Sequence, residues 1–313
     1  MKNTISYFYE FYANTKGRWL NKTILEVMNT DFFSPHDEYF ANAIEKGVIL
    51  VNKSKVTKDY KLKDHDIITH FVHIHEPVVP KIKIIAEEKE YIVVYKPSGV
   101  PCHPTSRYRT FTVLSSLNSN LICAHRLDVP TSGVLILYKK EFKENMKKAQ
   151  KNTKKIYLAK VLGRFHDEIT VDKKIKVIPG TGSVISEEGK ECITIFKLLN
   201  HKDGCSLIQC ELITGRTHQI RVHLQFLGFP IFNDKKYQNE LERNESTFIP
   251  CDENKRNAEN DLEAFALENC IGLNKRVYEY ENDYICLHAY KYYFNNKWYE
   301  ADLPKWAKEL TTD

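Results

Sequence analysis

Residues 133–139 read GVLILYK, a short apolar run rich in branched side chains and bounded by Gly133 and Lys139. Such a run is expected to form a buried strand. The residues before it are polar: His125, Arg126 and Asp128, then Thr131, Ser132 and Gly133, which read as a turn into the strand. A carboxylate is stable in water and costly in a core unless paired. Asp128 therefore has two readings on local chemistry alone. It forms a salt bridge with Arg126 that fixes the strand entry, or it is an active carboxylate aimed by the rigid strand behind it. The salt bridge is the simpler of the two.

A length of 313 residues suggests two domains, and 42% hydrophobic with 28% charged residues describes an ordinary globular chain. The net charge of +5 is unevenly spread. Residues 81–240 carry 27 basic and 16 acidic side chains; the first 80 are balanced at 10 and 10, and the remainder carries 9 and 15. A polyanion held against the middle of the chain fits that distribution. The eight cysteines form no tight pair, and the first residues lack an apolar core and include Glu10. Free thiols in a reducing compartment are expected, with the cytoplasm first and the mitochondrion or nucleus as alternatives. No run approaches the ~20 apolar residues that span a membrane.

Read in order, residues 1–12 suggest a strand, 20–27 and 35–44 two short helices, and Gly47 the end of the second. Short strands follow in VILVN, VTKDYKL and DIITHFV, and residues 76–80 read as a linker. Residues 1–78 would thus be a small module, and 79–313 a larger domain interrupted by a polar, acidic insertion at about 239–282. Within the larger domain, strands are expected at 91–95, 156–162, 205–212 and 284–293, with several more in 165–200. Helices are expected at 111–117, 140–151, 262–267 and near Thr217. The 140–151 helix would carry Lys143, Lys147 and Lys151 four apart on one side, as a solvated face or as a phosphate-contacting stripe. Cys102 and His103 have no second pair at ligand spacing, so no metal site is read there.

Three separated motifs add specificity: HRLDVPTSG at 125–133, KIY at 155–157 and TGRTHQIRVH at 214–223. Together they resemble the RNA pseudouridine synthases of the branch that modifies large-subunit ribosomal RNA and transfer RNA. KPSGVPCHP at 96–104, GFPIFND at 228–234 and LHA at 287–289 extend the resemblance across roughly 80–300. THFVHIHEPVV at 69–79 is similar to the eukaryotic tRNA-modifying members, and the preceding residues to their S4-like RNA-binding module.

The resemblance implies an α+β fold, with a mixed, mainly antiparallel sheet, a cleft along it, and a small α/β S4-like module in front. It also implies RNA as partner, transfer RNA first and ribosomal or messenger RNA as alternatives. Position 32 of the anticodon stem-loop is the expected target, with a monomeric enzyme and neither metal nor organic cofactor. Asp128 would be the catalytic aspartate, Tyr157 the ring that stacks on the target base, with a part in proton removal from C5 as a further role, and Arg221 the basic partner of the aspartate, lowering its pKa. Arg126 would help fill the gap left by the flipped uridine. His125, Arg216, His218, Lys96, Arg107, Lys143, Lys147 and Lys151 would contact substrate or RNA. The chemistry needs such residues: a carboxylate to attack C1′ or take the 2′ proton while the C1′–N1 bond breaks, and a flat face on which uracil can turn. A chain that keeps this fold but only binds RNA is the alternative, and retention of Asp128, Tyr157 and Arg221 argues against it. A zinc deaminase would need a His/Cys/Cys set beside a glutamate, which the sequence lacks.

Overall fold

The computed structural model describes residues 4–32, 34, 36–105, 108–117, 120–178, 181–238, 258–270 and 284–311. They form two compact units, one of Met1–Val78 with Asn244–Val277, the other of Val79–Arg243 with Tyr278–Asp313. The insertion thus contributes to the first unit, although it interrupts the sequence of the second.

In the first unit, strand β1 (Thr4–Asn14) precedes helices α1 (Ile24–Asp31) and α2 (Tyr39–Lys46), then strands β2 (Ile49–Val51) and β3 (Ile67–Pro77). Helix α1 starts later than its apolar stripe suggests, because Thr23 and Glu26 form a reciprocal capping box. Gly47 ends α2 in the left-handed conformation, φ +78°. The expected strand VTKDYKL is absent; this stretch contributes only an isolated bridge from Lys61 to Thr23. Strand β3 is correspondingly longer than expected and pairs antiparallel with all of β1. Buried Trp19, Ile24, Phe40, Ile44 and Ile49 fill the core, joined by Phe265 from helix α7 (Asp261–Glu268, the seventh in chain order).

The second unit is built on a ten-stranded sheet. In chain order it contains β4 (Lys83–Glu87), β5 (Tyr91–Lys96), α3 (Val113–Leu117), β6 (Leu121–Cys123), β7 (Ser132–Lys139), α4 (Lys143–Ala149) and β8 (Lys154–Leu162). There follow β9 (Glu168–Asp172), the hairpin β10 (Ile175–Ile178) and β11 (Gly182–Ile185), β12 (Ile193–Lys202) and β13 (Cys205–Leu212). Last come α5 (Gln219–Phe226), α6 (Lys235–Gln238), β14 (Leu287–Phe294), β15 (Lys297–Glu300) and α8 (Lys305–Thr311). The main path runs β4-β5-β7-β14-β8-β13-β12-β9, with β15 on β14 and β6 on β7. Among the described strands only β14 with β7 pairs parallel, so the sheet is mixed and mainly antiparallel, as expected.

Strand β7 shows why this sheet needs two covered faces. Leu135 and Leu137 pack with one core cluster, which includes Leu127, Tyr157 and Ile220. Val134, Ile136 and Tyr138 face a second, with Met146 of α4 and Tyr292. Alternation sends successive side chains to opposite faces, so an unbroken apolar run requires both to be buried. Of the anticipated Thr131–Gly133 turn, Ser132 and Gly133 instead begin this strand, and the turn lies at Val129–Pro130. Gly133 has φ +119°, and a Cβ there would collide with the Ala289 carbonyl oxygen. Glycine therefore permits the two-residue parallel pairing His288↔Ser132 and Ala289↔Gly133. All seven described cysteines are free thiols. No described helix is long and apolar enough to cross a membrane.

Candidate active site

Asp128 lies on the loop between β6 and β7, and the segment after β5 grips that loop. The Gly99 amide donates to the Val129 carbonyl at 2.8 Å, and the Ser98 hydroxyl to that of Pro130 at 2.6 Å. The Leu127 amide donates to Cys102 Sγ at 3.3 Å, and the thiol donates back to the Leu127 carbonyl at 3.4 Å. Thr131 closes the turn with its amide on the Asp128 carbonyl at 3.0 Å. Lys96 corrects an expectation. It is fully buried, and its ammonium donates to the carbonyls of Pro97, Val100 and Val129 at 2.8, 2.7 and 3.0 Å. Burial lowers its pKa to about 8, with Cys102 and Asp128 opposing. With its donors committed inside, it positions the loop and presents no charge to RNA.

Arg221, on α5, faces Asp128. Its Nη1 donates to Asp128 Oδ2 at 3.0 Å, while Nε and Nη2 form a fork on Asp234 Oδ2 and Oδ1 at 2.6 and 2.8 Å. Arg221 is 6% exposed and Asp234 1%, against 26% for Asp128. Burial works against the guanidinium charge, but the bonds and charges of Asp234 and Asp128 outweigh it and raise the Arg221 pKa. The salt bridge read from the local sequence thus exists with a different partner: Asp128 pairs with Arg221, whereas Arg126 is exposed along the cleft. Asp234 takes two of the arginine's nitrogens and leaves the third to orient the half-exposed carboxylate.

His218 stands at the start of α5 with φ +55°, its Nε2 3.7 Å from Asp128 Oδ2 and its Nδ1 2.7 Å from the Tyr237 hydroxyl. Burial lowers the His218 pKa while Asp128 pulls it upward. Tyr237 is fixed in turn by the Ser183 amide at 3.1 Å, and its ring lies 4.9 Å from Arg221 Cζ. Buried Gln219 ties the motif down: its Oε1 accepts from Thr214 Oγ1 and the Arg216 amide, and its Nε2 donates to the Ile193 carbonyl and Thr194 Oγ1. A helix is thereby aimed so that residues three apart, His218 and Arg221, meet one carboxylate.

Tyr157 occupies the middle of β8, paired with Cys210 on one side and Ala289 on the other. It lines the same recess as Asp128, Arg221 and His218, a space of about 70 Å³. Burial foremost, then the neighbouring Tyr292 and Asp128, raise its phenol pKa and keep it protonated. A larger cleft of about 610 Å³ shares these residues and Arg216 and adds His125 and Lys155. His125 stacks on Tyr292, ring centres 4.5 Å apart, and burial lowers its pKa to about 3. Arg216 is exposed and donates from Nε to the Glu191 carbonyl at 3.1 Å.

The other residues expected to meet RNA are not gathered at this cleft. Lys143 and Lys147 are exposed on α4, whose Met146 packs against the other face of β7, and neither lines the cleft. Lys147 pairs with Glu144 at 2.9 Å. Lys151 falls in a 3-10 turn at Gln150–Asn152, but its side chain, like all of Arg107, lies outside the described residues. Three members of the site carry no role in the sequence reading: Asp234, Gln219 and Tyr237. Asp234 sits in the motif GFPIFND, and an acidic residue closing an apolar run is the available signal.

The family model of the RNA pseudouridylate synthases matches residues 90–226, which include Asp128, Tyr157 and Arg221. "Human RNA Pseudouridylate Synthase Domain Containing 1" is similar in fold, with a TM-score of 0.52 at 22% identity over 74% of this chain and 86% of that one. "tRNA pseudouridine(32) synthase, mitochondrial" of Saccharomyces cerevisiae is 37% identical over 75% of this chain, which spans 54% of that protein. "RNA pseudouridine synthase 7" of Arabidopsis thaliana is 33% identical over 96% of this chain and 85% of its own length. A likeness of that extent places the chain in the RNA pseudouridylate synthase family, whose members are uridine-isomerising enzymes.

Proposed function

We propose that the chain converts uridine to pseudouridine in transfer RNA, at position 32 of the anticodon stem-loop, with Asp128 as the catalytic group. The observation that carries the chemistry is a half-exposed carboxylate held by Arg221 in a recess lined by Tyr157. The choice of RNA is supported by the activity for which the yeast relative is named.

Isomerisation breaks C1′–N1, turns the base, joins C5 to C1′, and moves a proton from C5 to N1. Asp128 starts the sequence by attacking C1′ or by taking the 2′ proton. Both need the carboxylate, which the Arg221 donor orients with its charge. The Tyr157 ring offers the detached uracil an apolar face on which it can turn. Because burial keeps the phenol protonated, the ring is assigned to stacking, and the C5 proton goes to Asp128 or water. The target nucleotide leaves its stack to reach the recess, and Arg126 enters the gap. Arg216 and Lys155 along the cleft, with Lys143 and Lys147 beyond it, meet backbone phosphates. The first unit acts as an S4-like RNA-binding module, and the enzyme works in the cytoplasm as a monomer.

Asp128→Asn is the decisive variant. Turnover on the anticodon stem-loop is expected to fall by at least ~10³-fold with RNA affinity nearly unchanged. Normal turnover by D128N would remove Asp128 from the mechanism. Pseudouridine mapping on total RNA, with and without the protein, tests the target: loss confined to a site other than position 32 of transfer RNA would overturn that assignment.

A further inference from the structure

Strand β2 pairs with β3 across Ile68–His70, and β3 runs on to Pro77. His73 and His75 follow, two apart and therefore on the same side of the strand, their rings 4.8 Å apart. The end of the insertion helix α7 arrives here. Cys270 lies two residues past its last turn, buried, with Sγ 3.2 Å from His73 Nδ1 and 3.3 Å from the His73 carbonyl oxygen. A thiol–imidazole hydrogen bond accounts for one of these distances. It does not require a second imidazole, yet the ligand atoms of His73, His75 and Cys270 all lie within 4.8 Å of one another.

Two imidazoles and a thiolate are a borderline-soft set suited to zinc. Tetrahedral zinc with bonds of ~2.0–2.3 Å holds its ligand atoms roughly 3.3–3.6 Å apart. The His73–Cys270 pair is already near that spacing, and the remaining distances close by side-chain rotation of about 1 Å. His73 and Cys270 are buried while His75 is half-buried, so a fourth position can be taken by water.

We propose that His73, His75 and Cys270 form a zinc site that fastens the 244–277 insertion to strand β3 within the first unit. Zinc displaces the thiol proton to solvent and binds the thiolate, while the two imidazoles bind as neutral ligands. The clip joins segments 195 residues or more apart in sequence, as the His75 to Cys270 spacing shows. It replaces a hydrogen-bonded contact with a metal-dependent one, so docking of the inserted helix follows zinc supply. The site is separate in composition from the Asp128 recess, whose residues all belong to the second unit.

The test uses the full chain without a polyhistidine tag, kept reduced, stripped with chelator and titrated with zinc or with cobalt as a spectroscopic probe. One zinc per chain, a thiolate-to-cobalt charge-transfer band, and a melting temperature raised by zinc are expected. Cys270→Ser and His75→Gln should each weaken zinc by more than the ~10–100-fold typical of losing an outer-shell partner, and C270S should abolish the charge-transfer band. D128N should bind zinc like the wild type. Should C270S fold poorly, the half-buried His75→Gln variant and the cobalt spectrum of the wild-type chain decide. No stoichiometric zinc in the wild type, no thiolate band, or undiminished affinity in H75Q would each overturn the site.

Discussion

Arg221 divides one guanidinium between two carboxylates of unequal exposure, and the consequences differ for each. Its fork on Asp234 is almost fully buried, so removing Arg221 strands a carboxylate in the core, and removing Asp234 leaves the guanidinium with Asp128 alone. Asp234→Ala is expected to destabilise the chain by about 3–5 kcal/mol, read as a lower urea midpoint, and to slow isomerisation by releasing Arg221 from its aim. Arg221→Lys keeps a charge but loses the planar fork. It should bind RNA nearly normally and react far more slowly, seen as a fall in single-turnover rate at saturating RNA. An undiminished rate in R221K would mean that orientation of Asp128 does not depend on the fork. Asp128 was legible in the sequence because its neighbours repeat a motif. Asp234 was less so, because its function appears only when a loop after α5 folds back onto that helix.

At the level of elements, the loop bearing Asp128 is held between the segment after β5 and the first two residues of β7. Gly133 is the critical point, since a methyl group there meets the backbone of β14. Gly133→Ala is expected to cost several kcal/mol, of the order of overpacking plus a strained φ, roughly 2–4 kcal/mol, and to lower activity by shifting Asp128. Wild-type stability in G133A would show that the β7–β14 approach tolerates separation. Helix α4 supplies a second test of an element. Replacing Lys143 and Lys147 by Gln should reduce the salt slope of RNA binding by up to about one for each phosphate no longer neutralised. An unchanged slope would take α4 off the RNA face, an outcome its packing on the opposite face of β7 makes informative.

For the whole molecule, buried neutral histidines set the acid limit. Burial lowers His125 to about 3 and His70 and His288 to about 4, each below the ordinary value of 6.5. Above pH 6.5 these rings are neutral whether the chain is folded or not, and stability is fully present. As pH falls from 6.5 toward 4, the unfolded chain takes up protons that the folded one refuses, and stability is lost. For the fully buried His288 the loss approaches ~1.4 kcal/mol per pH unit. Urea midpoints at pH 7.5, 6 and 5 should fall in that order for the wild type. In His288→Asn, which cannot titrate there, the fall should be shallower. Equal slopes would mean that His288 takes up a proton without unfolding.

Elements whose causes are local are legible in the chain's own residues. The run after Asp128 had to be a buried strand, Gly47 had to end a helix, and CSLIQCEL formed β13 from Cys205 to Leu212, the expected bounds. Three spaced motifs also carried the family and the cleft residues Asp128, Tyr157 and Arg221. Which charges meet depends on the folded arrangement. Arg126 and Arg221 were both available to Asp128, and the sheet brought the distant one to 3.0 Å while leaving the near one in solvent. Lys96 likewise carries the same charge as any surface lysine, and only its place at the end of β5 turns it inward to three carbonyls. Local propensity is written into neighbouring residues. Pairing across 93 positions depends on strand order, which no short stretch of sequence encodes.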